Sequence, residues 1–116
     1  MSNKKFADLV ERLIASTQNQ SIHWNETSQG NIFQVSFKDY SVQIVCTYDD
    51  ENTCYYRLRI VNENGEVVDE ISTYDLRDYL PSAYSEMEGL FSLARRNALG
   101  VDKALDSILD QLDLPF

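Results

Sequence analysis

The chain has 116 residues, 43% of them hydrophobic, which is the usual size of one domain and enough apolar material for one core. Ten basic against nineteen acidic residues leave a net charge of −9, so a phosphate backbone meets a repulsive average field and basic or apolar partners are expected instead of nucleic acid. No run approaches the roughly 18 consecutive apolar residues of a membrane span, the closing LDLPF is too short to anchor the chain, and Asp8, Glu11 and Arg12 interrupt any apolar stretch after the first lysines; the expected setting is cytoplasmic, without a membrane partner or a secretory signal.

Phe6, Leu9, Val10, Leu13 and Ile14 recur at helical spacing and predict a first helix over 4–17, ended by the polar STQNQS. IHWNE then alternates Ile22 and Trp24 against His23 and Asn25, predicting a short half-buried strand with Trp24 in the core. In IFQVSFK the residues Phe33, Val35 and Phe37 share one face. YSVQIVCTY turns Val42, Ile44, Cys46 and Tyr48 inward, and TCYYRLRIV turns Cys54, Tyr56, Leu58 and Ile60 inward. Asn64-Gly65 in NENGEVV predicts a type I′ hairpin turn into the strand EVVDEIST. The result is an antiparallel meander of four or five strands with one apolar face.

Helices must cover that face. From Leu80 onward Pro81 sits near a first helical turn, with Ser82 or Ser85 as candidate caps and Tyr84, Met87, Phe91, Ala94 and Ala98 as the apolar stripe. Gly100 is placed to end this helix and Asp102 to cap another, whose buried side is expected to be Leu105, Ile108, Leu109 and Leu112. The predicted fold is a single α+β domain over 1–116: an N-terminal helix, the meander, and two C-terminal helices packed on one sheet face.

The sequence LARRNALGVDKALDSIL has the order of a DNA-reading helix-turn-helix, but its second helix is acidic. Asp102, Asp106 and Asp110 fall at four-residue steps against the single base Lys103, and Ala94 stands two positions too far from Gly100. A plain helical hairpin explains the segment better.

The chemical inventory is thin. Cys46 and Cys54 flank the YDDEN turn and are read as reduced packing residues, the alternative being a small enzyme or redox protein that uses one of them. His23 is the only histidine, and neither C-x-x-C nor H-x-x-x-H spacing supports a metal site. DDEN lacks the length and glycine of a calcium loop, and the chain has no P-loop and no G-x-G-x-x-G, so no cofactor is expected.

Two surfaces remain as candidates. One is the outward sheet face of Gln43, Val45, Tyr55, Arg57, Arg59 and Val61, an aromatic and arginine mixture of the kind enriched at interfaces, whose plainer reading is a solvated face with the arginines balancing acids such as Glu70; the other is the acidic row Asp102, Asp106 and Asp110, whose plainer reading is a charged outer helix face that aids solubility. The leading FADLVERLIASTQNQSIHW, the NENGEVVD hairpin and the ending LFSLARRNALGVDKALDSILDQL together resemble a family of small, functionally uncharacterised bacterial and prophage proteins, in which Trp24 and the Ala94–Asp102 segment ARRNALGVD are the matching features. The resemblance implies the architecture and transfers no catalytic residue. The expected function is a non-catalytic protein interaction module, in its sharper form an acidic inhibitor or immunity-type protein against a basic surface, with self-association into a homodimer as the alternative assembly.

Overall fold

A computed structural model describes residues 2–113; Met1 and residues 114–116, which belong to the LDLPF end, lie outside the described residues. The chain runs α1 (Ser2–Gln18), β1 (Asn25–Glu26), β2 (Ile32–Ser36), β3 (Tyr40–Tyr48), β4 (Cys54–Asn62), β5 (Val67–Ser72), α2 (Thr73–Leu76), α3 (Ala83–Leu99) and α4 (Val101–Leu112). The five strands form one antiparallel sheet in the order β1-β2-β3-β4-β5, the meander that alternation predicts. Val35, Val42, Ile44, Leu58 and Ile71 build the core from the sheet, and Phe6, Val10 and Leu13 of α1 with Met87, Leu90 and Ala94 of α3 close it. The other face has no part in this core, as an antiparallel sheet allows.

Both long hairpins turn by the same device. At β3–β4 the Asp49 Oδ1 accepts from the backbone N of Glu51 and Thr53 at 2.9 and 3.0 Å, and Asn52 takes the left-handed position with φ 63°. At β4–β5 the Asn62 Oδ1 accepts from Asn64 and Glu66 at 3.0 Å each, and Gly65 takes φ 83°. Asn64 therefore does not adopt the positive φ of the expected type I′ turn. A longer loop with one left-handed residue already matches the strand twist, and the Asn62 carboxamide satisfies the loop amides.

The sheet edges are blunt. β1 has two residues, and the β4–β5 register shifts between Ile60 and Val61, which pair with Asp69 and Val67, leaving Val68 as an extra residue in β5.

Several sequence expectations shift at the ends of elements. Ile22–Trp24 are not strand, although Trp24 is fully buried. Phe37 and Tyr48 are exposed where alternation turns them inward: Phe37 follows the end of β2 at Ser36 and only borders α1, beside Leu9 and Leu13, and Tyr48 is the last residue of β3. Ser82 holds the α3 N-cap position without a side-chain hydrogen bond; the serine that does cap a helix is Ser72, whose Oγ accepts from Asp75 N at 3.2 Å and starts the unexpected α2.

The larger difference lies in α4. Gly100 ends α3 in the left-handed conformation with φ 64°, as its position predicts, but Asp102 does not cap α4; Gly100 holds the N-cap position, and the Asp102 carboxylate accepts from Arg96 Nη2 at 2.6 Å. α4 buries none of its residues and packs chiefly against α3. It projects as an arm, so the Cα radius of gyration is 16.0 Å where about 13 Å is usual for a compact chain of this length.

Candidate interaction surfaces

Strand parity brings Gln43, Val45, Tyr55, Arg57, Arg59 and Val61 together on the sheet face opposite the core. Of the six, Val45 and Val61 are buried. Val45 stands between Ile32 and Arg57 across the strands, so this row is occupied by its own neighbours and is not open to a partner.

The polar residues of the face satisfy one another. Arg57 Nη1 and Arg59 Nε donate to the two oxygens of Glu70 at 3.1 and 2.9 Å, and Gln43 donates to Gln34 at 2.8 Å. Arg57 also donates to the Tyr55 hydroxyl at 3.1 Å and lies 5.3 Å from that ring's centroid. Its pKa is held above the ordinary value first by the Tyr55 hydrogen bond and then by Glu70. Tyr55 leans on Tyr74 with centroids 5.0 Å apart, and Tyr74 donates to Asp49 Oδ2 at 3.1 Å. A partner here must first break a network already complete, which makes the face a poor anchor.

Cys46 and Cys54 come together on the core face, diagonal across β3 and β4, with Sγ atoms 3.0 Å apart, both half-buried and both free thiols. Burial, reinforced by the Cys54 hydrogen bond, pushes the Cys46 thiol up to about 11. A thiol so placed is protonated at neutral pH, the opposite of what a nucleophile or metal ligand needs. His23 is exposed near the start of β1, and no group of three or more His, Cys, Asp or Glu among the described residues is arranged to hold a metal.

Polar cavities are shallow. The cleft where α1 ends beside the α3–α4 junction, of about 280 Å³, is lined by Thr17, Gln20, Arg96, Asn97 and Lys103, but Arg96 is engaged by Asp102 and Asn97 accepts from Trp24 N at 2.6 Å. No buried side-chain nitrogen or oxygen among the described residues lacks a partner.

Exposed apolar side chains also occur singly or in pairs elsewhere, Val67 and Val68 among them, but α4 carries four in one row. Leu105, Ile108, Leu109 and Leu112, expected to be a buried side, are 47, 55, 54 and 63% exposed. They recur at three- and four-residue steps and so form one stripe along the arm. Asp102, Asp106 and Asp110 are exposed on the same helix, separate from the arginine network of the sheet. Sequence periodicity finds the stripe; it does not reveal that the fold leaves the stripe uncovered.

No helix among the described residues is long and apolar enough to cross a membrane. No protein-family model, no curated protein and no solved structure matches the chain.

Proposed function

We propose that this protein is a non-catalytic interaction module that docks through α4. The observation that carries the reading is the stripe of four apolar side chains, each about half exposed or more, on a helix that contributes nothing to the core. Soluble domains seldom leave such a stripe open without a use for it. Covering it is worth on the order of 1 kcal/mol for each half-exposed leucine or isoleucine. A twelve-residue helix with little tertiary support is marginal in water, so docking both hides the stripe and fixes the helix.

Other features agree with this choice. The short β1 and the irregular β5 discourage partners that add a strand, and the outward sheet face is internally satisfied.

The test is a photo-cross-linking scan in the cell the chain comes from, with p-benzoylphenylalanine placed at Ile108, at Leu112 and, on the sheet face, at Arg59. Protein adducts at the two α4 positions and none at Arg59 are expected. Adducts confined to Arg59 would move the docking surface to the sheet, and their absence at all three positions would overturn the reading.

A further inference from the structure

We infer that the occupant of the α4 stripe is a protein whose apolar groove is bordered along one rim by lysine and arginine; the inference rests on the reading of α4 as the docking element. Charge is placed unevenly around the helix. At about 100° per residue, Asp102, Asp106, Asp110 and Asp113 all fall on one flank, roughly 75° to 155° from the centre of the stripe. The other flank carries Ala104, Ser107 and Gln111, and the lone base Lys103 points almost directly away from the stripe. The helix therefore offers an apolar seam with an acidic border on one side and a neutral border on the other.

That asymmetry disfavours pairing of α4 with the α4 of a second copy of this chain. In an antiparallel pair related by a two-fold axis, each flank meets its own counterpart, so the aspartates of one arm face those of the other. A parallel pair sets two chains of −9 side by side. Neither arrangement supplies a cation to Asp106, Asp110 or Asp113. A groove with a basic rim does, and its apolar floor accepts Leu105, Ile108, Leu109 and Leu112 in the helix-in-groove mode.

The experiment starts from the Ile108 cross-link in cells and identifies the adduct by mass. The identified protein is then purified and its affinity for the chain measured at low and high salt, beside the exposed variant Asp106→Asn/Asp110→Asn. Expected are an adduct with a different protein, an affinity lowered roughly tenfold by the double substitution, and a salt dependence that shrinks in the variant. A chain-to-chain adduct overturns the inference and leaves α4 as a docking helix. So does a foreign partner whose affinity ignores both salt and the substitutions. No adduct at either Ile108 or Leu112 removes the inference together with the reading beneath it.

Discussion

Trp24 Nε1 donates to Thr17 Oγ1 at 2.9 Å inside the core, and the same hydroxyl donates to the Leu13 carbonyl at 2.6 Å. One threonine thus ties the indole to the last turns of α1, while Asn97 of α3 accepts from the Trp24 backbone N. Thr17→Val keeps the shape and leaves a buried indole N–H without an acceptor, which costs about 1–3 kcal/mol. Urea unfolding of the variant should show a lowered midpoint with an unchanged slope.

The paired hairpin turns respond differently to acid. Asn62→Ala removes the acceptor for two loop amides and should cost about 0.5–1.5 kcal/mol. Asp49 performs the same role with a charge, and its pKa is lowered, first by the Thr53 backbone hydrogen bond and then by those from Glu51 and Tyr74. A lowered carboxyl pKa adds stability above the unfolded value, near 4, and that stability is lost as pH falls through the folded value. Asp49→Asn, measured by unfolding from pH 7 down to pH 2, should therefore show a shallower acid loss than the parent chain.

At alkaline pH the buried thiol sets a slope of opposite sign. Cys46 titrates near 9.0 when unfolded and about 11 when folded. Between those values the unfolded chain gives up a proton that the native chain retains, so stability present below about pH 9 falls as pH rises toward 11. Cys46→Ala should flatten that part of the profile relative to the parent. In the native protein a thiol reagent at pH 7.5 should modify Cys46 far more slowly than it does in urea.

Free α4 should behave as a frayed arm on a stable body. Its amides should exchange with solvent at least about a hundredfold faster than those of the buried face of α3. Leu105→Ser/Ile108→Ser should leave the unfolding midpoint of the body within about 0.5 kcal/mol of the parent, because neither side chain touches the core, while abolishing the Leu112 cross-link. A large loss of stability would mean that the stripe is already packed within the chain.

Gly100 sets the bend between α3 and α4. No atom crowds the position where a Cβ would stand, so the glycine is needed for its φ alone. An alanine held in that left-handed conformation costs roughly 1–2 kcal/mol, more than the roughly 0.2–1 kcal/mol of an exposed ion pair such as Arg96–Asp102. Gly100→Ala should accordingly merge α3 and α4 into one straight helix, visible as added helical signal in circular dichroism and a longer maximum dimension in small-angle scattering.

Strand order and the inner face were readable from alternation at Phe33, Val35, Val42, Ile44 and Leu58, because a period of two maps directly onto the pleat. At Phe37 and Tyr48 alternation gave the face but not the depth, because both stand at strand ends on the rim of the helical cover. The contacts of Trp24 with Thr17 and Asn97 leave no local signature, the second spanning 73 positions of sequence. The candidate site was only half readable. Periodicity grouped Leu105, Ile108, Leu109 and Leu112 on one side of a helix, but an apolar stripe has the same pattern whether its cover lies in the chain or in a partner. Glu70 was legible as an acid that balances Arg57 and Arg59, and the β4–β5 register brings it to both.

The isolation of α4 from the core also governs how its sequence can drift. A substitution among residues 102–112 removes no buried contact, so it escapes the stability threshold that screens changes at Trp24, Ile44 or Leu58. Under the proposed docking through α4, recognition can be retuned one residue at a time while the body stays folded. Related chains should then diverge fastest along the stripe and its acidic flank, with each lineage matching its arm to its own partner and preserving the glycine that aims it.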